Sequence, residues 1–238
     1  MNNKYNRILL KLSGEALKGE KDIYSKEYLE EIYSIVKRIT EMGTEVAIVV
    51  GGGNIWRGNL AASLEVERTT GDYMGMLATI MNAMCISSYF ENKGLTTRVM
   101  SAINCPQVCE PYIRRKAIRH LEKKRVVIFA GGIGSPYFTT DTTAALRAKE
   151  ILADGIFVGK NGVEGVYDDD PRINKDAKLI KKISYQEILA RGLKVMDSTA
   201  IGLLLDSTVD LRVFNMNNPE NAVAVVSGDD LGTLVTNK

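Results

Sequence analysis

The sequence predicts an α/β protein, a mainly parallel sheet sandwiched between helices in an αβα arrangement, and three observations carry that prediction. Short apolar runs alternate with helical patterns from one end of the chain to the other. Several runs are near-continuous in Val, Ile, Leu and Phe, the pattern of strands buried on both faces of a parallel sheet. Glycine follows those runs directly, where strands hand over to loops. Strand–helix alternation of this kind builds layered α/β domains.

The elements follow in order. RILLKL at Arg7–Leu12 reads as a strand with Lys11 embedded in it. Residues 25–42 place Tyr28, Ile32, Ile35, Val36 and Ile39 on one helical stripe, with Ser25 as cap and Gly43 as stop. EVAIVV at Glu45–Val50 is the second strand, and further strands are predicted at 97–100, 125–130, 155–158 and 210–214. Helices are predicted at 72–92, 111–124, 141–153, 185–190 and 197–205. With five scattered prolines, no repeat and no proline-rich linker, the 238 residues are expected to form one domain, 1–238.

Composition excludes several classes of function. Thirty-one basic and 29 acidic residues leave a net charge of +2, too little for bulk capture of nucleic acid or anionic lipid. Three cysteines (Cys85, Cys105, Cys109), no C-x-x-C pair and the single His120 argue against a disulfide framework and a Cys/His zinc site. No stretch approaches the roughly 20 apolar residues of a membrane span, and no signal-peptide run follows the amino terminus. A reduced, cytoplasmic protein is expected, with neither a nucleic acid nor a membrane as partner.

Three glycine loops mark the candidate chemistry: Lys11-Leu12-Ser13-Gly14 after RILL, Gly51-Gly52-Gly53-Asn54-Ile55-Trp56-Arg57-Gly58 after VAIVV, and Gly131-Gly132-Ile133-Gly134-Ser135-Pro136 after VVIFA. Glycine after a parallel strand lets backbone amides approach an anion, and ligands gather outside the carboxyl ends of such strands. A single loop is as well read as a tight connection; three, with Lys11 and Arg57 beside them, point to nucleotide phosphates. The sequence has no G-x-x-x-x-G-K-[ST], no supported dinucleotide fingerprint, no H-R-D set and no Ser–His–Asp set. Asp72, Asp141 and Asp197 each precede an apolar helical pattern and on the residues alone read first as helix caps, and Tyr167 reads first as a packing residue. Lys11 is harder to read as structural, since a lysine in an apolar strand is costly to bury unless an anion meets it.

KLSGEAL (11–17), GGGNIWRG (51–58), GDYMGMLATIMNA (71–83), SPYFTTDTTAALRA (135–148), GVYDDDP (165–171), LKVMD (193–197) and RVFNMNNP (212–219) together resemble the bacterial uridylate kinase family of the amino acid kinase superfamily. The resemblance implies that fold and the reaction ATP + UMP → ADP + UDP, in pyrimidine nucleotide biosynthesis. It also implies magnesium carried with ATP and no dedicated metal ligands, a homohexamer, and UTP as a competing inhibitor. By matching motif, Lys11 resembles the lysine bridging the transferring phosphate, with Leu12, Ser13, Gly14, Gly53 and Arg57 on the ATP phosphates. Asn161, Tyr167 and Asp170 resemble the ATP nucleoside contacts. Gly52, Asp72 and the segment Ile133, Gly134, Ser135, Pro136, Tyr137, Phe138, Thr139 and Thr140 resemble the UMP site, Asp72 accepting from the ribose hydroxyls. Asp141 and Asp197 resemble acids that orient Lys11 and the magnesium-bound phosphates. The acceptor lobe is then roughly 1–155 and the ATP nucleoside lobe 156–238. Two other readings remain: a carboxylate or carbamate kinase, and a non-catalytic nucleotide sensor of the same fold.

One departure from that family concerns regulation. Many members are activated by GTP and carry glycine–aromatic–glycine after KLSGEAL, whereas this chain has Lys18-Gly19-Glu20-Lys21-Asp22-Ile23-Tyr24-Ser25. One glycine leaves that segment fewer states for an effector to select, so GTP activation is expected to be weak or absent. Met74, Met76, Met81 and Met84 read as core or subunit contacts, the basic run 114–125 as a solvated helix face, and Cys105 and Cys109 receive no function.

Overall fold

The computed structural model describes residues 4–237. In chain order the elements are β1 (Arg7–Leu12), a single 3₁₀ turn (Gly14–Leu17), α1 (Lys26–Glu41), β2 (Glu45–Val50), α2 (Gly58–Ser63), α3 (Arg68–Glu91), β3 (Thr97–Ser101), β4 (Glu110–Pro111) and α4 (Arg114–Glu122). They continue with β5 (Val126–Ala130), α5 (Thr140–Glu150), β6 (Gly155–Lys160), β7 (Lys182–Ile183), α6 (Tyr185–Arg191), α7 (Ser198–Leu204), β8 (Asp210–Asn215), α8 (Glu220–Ser227) and β9 (Thr233–Val235). Among the described residues these strands form one sheet in the order β4-β3-β5-β2-β1-β6-β8-β9-β7. Every pairing is parallel except β8 with β9.

Side-chain alternation along β1 explains the two cores. Ile8, Leu10 and Leu12 face one layer, with α1 (Ile32, Ile35, Val36, Ile39), α3 (Ile80, Ile86, Phe90) and α8 (Val223, Val225). Leu9 faces the other, with α4, α6, α7 and the alanines Ala144, Ala145 and Ala148 of α5. Those three alanines are fully buried, so α5 lies close against the strands. Lys11 shares the parity of Leu9 and stands opposite Val49 and Val158, which aims its side chain at α5.

The loop after β2 turns into α2 and α3 on the first face, whereas the loop after its neighbour β5 turns into α5 on the second. A crevice must open where adjacent loops part, outside the carboxyl ends of the strands.

The predicted strands and helices are all present, with shifted ends. α3 begins at Arg68, four residues before the predicted start, so Asp72 lies inside the helix and is not its cap. The α4 pattern begins at Arg114 because Glu110–Pro111 pairs with β3 as a short edge strand, a position that tolerates proline. Thr139, not Asp141, caps α5, its hydroxyl accepting from the amides of Asp141 and Thr142. Asp197 does cap α7, accepting from Ala200 N at 2.7 Å. α8 was not predicted: its NAVAVVS run is rich in β-branched residues, and packing against β8 and α1 overrides that preference.

Candidate active site

The crevice between β2 and β5 is a cleft of about 640 Å³ lined by Gly52, Gly53, Trp56, Asp72, Met76, Thr79, Ile133, Ser135, Phe138, Thr139 and Thr140, among others. Its floor is fixed from three sides. A side chain at Gly14 would place Cβ 2.5 Å from Gly51 O and Gly53 N, so only glycine lets the first two loops touch. Asn82, fully buried on α3, donates to Gly51 O at 2.7 Å. Thr79 accepts from Gly131 N at 2.8 Å, and the buried Arg147 of α5 donates to Gly132 O at 3.3 Å. Gly131 itself has a φ of +70°, a conformation glycine adopts without strain.

At the mouth, Asp72 accepts from Tyr137 N at 2.8 Å and pairs with Arg68 Nε at 3.1 Å. Arg68 lies 5.3 Å over the Tyr137 ring. Tyr137 is exposed at a φ of +71°, a costly conformation for a bulky residue that is characteristic of ligand-facing loops.

Two further clefts flank β6. One, about 250 Å³, is lined by Lys11, Leu12, Ser13, Gly159, Lys160 and Asn161 among others. The other, about 460 Å³, has Asp141, Lys160, Lys194, Val195, Met196 and Ser198 in its wall. Between these and the first cleft stands a charged array: Lys11 Nζ is 2.6 Å from Asp141 Oδ1, and Asp141 Oδ2 accepts from Asp197 N at 3.2 Å. The Asp197 carboxylate accepts from Thr139 Oγ1, from Thr142 Oγ1 at 3.1 Å and from Ala200 N. Burial works against that carboxylate's charge, but these hydrogen bonds prevail and hold its pKa below the ordinary value. Thr140 lines the first cleft and Asp141, the next residue, lines another, so the array sits where occupants of the two would meet.

Lys160, at the end of β6 on the same face as Lys11, was missed in the sequence. Burial first, and repulsion from Lys11 second, lower its pKa, with Asp141 opposing. Its ammonium donates to Val195 O at 3.3 Å. The signal available was a lysine closing the apolar run GIFVGK, the same anomaly that singled out Lys11 in RILLKL.

Most predicted site residues converge. Gly52, Asp72, Ile133, Ser135, Phe138, Thr139 and Thr140 line the first cleft, and so does Gly53, which the resemblance had put on the ATP side. Tyr137 reaches it through its amide, while Gly134 and Pro136 complete the loop behind. Lys11, Leu12, Ser13 and Asn161 share the small cleft, and Gly14 abuts the second loop. Arg57 is folded back on its own loop, donating to Gly53 O at 2.7 Å and lying 3.3 Å from Glu15. Tyr167 and Asp170 do not line these clefts. Tyr167 bridges to Leu179, and Asp170 is bound by Arg172, whose hydrogen bonds hold its pKa at about 2.

Comparison with known proteins agrees with this geometry. The model of the amino acid kinase family matches residues 6–215. A uridylate kinase of Limosilactobacillus reuteri is 54% identical over 235 residues, 98% of this chain and 97% of that protein. One of Streptococcus thermophilus is 52% identical over 238 residues, 99% and 96% of the two chains. Among solved structures, UMP kinase from Bacillus anthracis superposes with a TM-score of 0.95 at 38% identity, covering 98% of this chain and 97% of that one. UMP kinase from Ureaplasma parvum gives 0.92 at 37% identity, with 98% and 99% coverage. Similarity over nearly the whole length, joined to the glycine loops and the Lys11–Asp141–Asp197 array, places the chain in the amino acid kinase family, among the uridylate kinases.

Proposed function

We propose that the protein transfers the γ-phosphate of ATP to UMP, giving UDP and ADP, and the observation that carries this is the Lys11–Asp141 pair standing between two clefts. The first cleft takes UMP, in a lobe spanning roughly 1–155. The clefts beside β6 take ATP, its nucleoside held by the lobe 156–238. The acceptor is a phosphate already ionised at neutral pH, so no strong general base is required. Catalysis then consists of bringing two polyanions into line and stabilising charge on the migrating group. Lys11 bridges the transferring phosphate, and Lys160 adds a second cation from the same face. The amides of Ser13, Gly14, Gly52 and Gly53 provide dipoles that need no reorganisation. Arg57 swings from Gly53 O to the phosphates. Asp141 aims Lys11, and Asp197 fixes Asp141 through its amide while its own carboxylate is tied to Thr139 and Thr142.

Asp141 and Asp197 are hard oxygen donors beside Lys11, the donor chemistry suited to magnesium that keeps its waters and rides on nucleotide phosphates. When bound, that ion neutralises charge between the phosphates. Tyr167 and Asp170 reach the ATP nucleoside only if the segment around them moves, since Asp170 is engaged by Arg172 here.

A hexamer fits the surface of α3. Tyr73, Met74, Leu77, Met81 and Met84 form an exposed apolar stripe along one side of that helix, while Met76 turns into the cleft. Such a stripe is characteristic of contact with another subunit. UTP, resembling substrate and product, competes for the UMP cleft, and GTP activates weakly or not at all. The role is in pyrimidine nucleotide synthesis in the cytoplasm; no described helix is long and apolar enough to cross a membrane.

A carboxylate or carbamate acceptor would give Asp72 no ribose to bind. The test is turnover with ATP, magnesium and, in turn, UMP, CMP, dUMP, carbamate and N-acetylglutamate. UDP formation with UMP supports the reading; turnover only with a small acid, or none with any acceptor, ends it.

A further inference from the structure

The reaction leaves Cys105 and Cys109 unused, yet the fold brings them together. They lie in the turn between β3 and β4, where Cys109 N donates to Cys105 O at 3.2 Å in a single helical turn. Such a turn sets Cα atoms about 6 Å apart, within the roughly 4.4–6.8 Å that a disulfide spans. The two Sγ atoms are 3.2 Å apart, and both residues are half-buried rather than sealed in the core. Closing that gap to a bond of about 2.05 Å requires side-chain rotation within the turn and no rearrangement of the sheet. The third cysteine, Cys85, stands apart from this turn, on α3 beside Tyr24.

The turn also touches the acceptor loop. Cys105 Sγ donates to Ile103 O at 3.4 Å. The same residue's amide lies where a side chain on Gly131 would collide, at 2.9 Å, and Ala102 N donates to Ala130 O at 3.1 Å. Residues 101–103 are thus the wall against which the loop of Gly132, Ile133 and Ser135 is set.

We propose that Cys105 and Cys109 form a reversible thiol–disulfide site that reacts with small-molecule disulfides and, through residues 101–103, weakens acceptor binding when oxidised. The Cys105 thiol gives up its proton, its thiolate attacks one sulfur of the small disulfide to form a mixed disulfide, and the other sulfur leaves as a thiolate. Cys109 then gives up its proton to the released thiolate and attacks Cys105 Sγ, expelling the second small thiolate, which takes up the proton that Cys105 lost. Two S–H bonds become one S–S bond while the oxidant is reduced to two thiols. Burial, and then the adjacent Cys105 sulfur, push the Cys109 thiol up to about 12, so Cys109 is not the group that attacks first. In a reducing compartment a disulfide of this kind is transient and responsive rather than structural.

The experiment treats the whole protein with oxidised glutathione and reads intact mass and a non-reducing peptide map. The expected result is loss of two hydrogens, confined to a Cys105–Cys109 link, with Cys85 unmodified and the change reversed by dithiothreitol. C109S should instead retain glutathione on Cys105, and C105S should leave Cys109 unmodified. A stable glutathione adduct on the unsubstituted protein without an internal link, or no reaction at either cysteine, overturns the site. The acceptor effect rests on the reading of the first cleft as the UMP site: the oxidised protein should show a KM for UMP at least twofold higher, with the KM for ATP unchanged. The C105S/C109S double variant should ignore the oxidant. An unchanged KM in protein shown by mass to be oxidised overturns the coupling. An inactive reduced protein instead overturns the proposed reaction, and leaves the mass result to decide the disulfide.

Discussion

Lys11 Nζ and Asp141 Oδ1 meet at 2.6 Å, one from the penultimate residue of the central strand and the other from the first turn of the helix lying on it. Neither residue is sealed in: their side chains are 17% and 22% exposed, at the edge where the clefts open. A carboxylate in the first turn of a helix is also favoured by the unpaired amides there. The pair aims a lysine within an otherwise apolar strand, and offers its Nζ to any phosphate entering beside it.

Replacing Lys11 with Met or Ala should therefore lower kcat by about 10²–10³, the usual loss for one charge-stabilising donor at a transition state. ATP and UMP should still bind, because the backbone amides remain, and calorimetry on the variant measures that directly. More than half the activity surviving in Lys11→Met would remove Lys11 from the mechanism.

Asp72 should set the sugar specificity. Its carboxylate accepts from Arg68 Nε and from the Tyr137 amide and keeps acceptor capacity at the cleft mouth for a ribose hydroxyl. The protein should prefer UMP strongly to dUMP, since the deoxy analogue leaves an acceptor unpaired in a desolvated site. Asp72→Ala should weaken UMP and narrow the gap to dUMP. Equal kcat/KM for the two nucleotides in the unsubstituted protein would show that Asp72 does not read the ribose.

The strands, the glycine loops and the placement of Lys11 were legible because they are properties of apolar runs and of what interrupts them. Helix starts were less so. Asp72 looked like a cap because it precedes an apolar pattern, yet the helix gains another turn from Arg68, with Glu67 accepting from the Thr70 hydroxyl at 3.1 Å. Arg147 and Asn82 were invisible as site residues, since their importance is a hydrogen bond to a glycine carbonyl distant in sequence. Lys160 was within reach of the argument applied to Lys11. Asp170 shows the opposite limit: its motif matches the family, but here its carboxylate is spent on Arg172.

Lys160 should reveal itself through protons. Burial, then repulsion from Lys11, favours its neutral form in the folded protein. With the folded pKa below the unfolded value of about 10.4, this residue makes stability rise with pH between the two values and costs most below both. Nucleotide phosphates reverse the bias by pairing with the ammonium, so binding of a non-hydrolysable ATP analogue should take up protons increasingly as pH rises toward the lowered folded pKa. Titration calorimetry in buffers of different ionisation enthalpy measures the uptake, and Lys160→Met should abolish it. Heats independent of buffer in the unsubstituted protein would place Lys160 away from the phosphates.

GTP should stimulate the enzyme weakly or not at all. The segment after the first glycine loop is held in place here: Gly19 N donates to Asp22 O at 3.0 Å, Ser25 N to Leu17 O at 2.7 Å, and Asn54 Nδ2 to Ile23 O at 2.8 Å. Asn54 is in turn paired through both its amide groups with the buried Asn82, so Ile23 is anchored to the helix that floors the cleft. An effector can shift an equilibrium only as far as its affinities for the two states differ, and a segment tied at both ends and its middle offers little difference to exploit. Initial rates at subsaturating ATP and UMP, with and without GTP, should differ by less than about twofold, well under the roughly 5-fold that marks ordinary allosteric coupling. Under the same conditions UTP should raise the KM for UMP without changing kcat. Several-fold stimulation by GTP would show that activation acts through another surface and that the segment 18–25 does not decide it. In that event Asn54→Ala, which frees Ile23, should leave the stimulation unaltered.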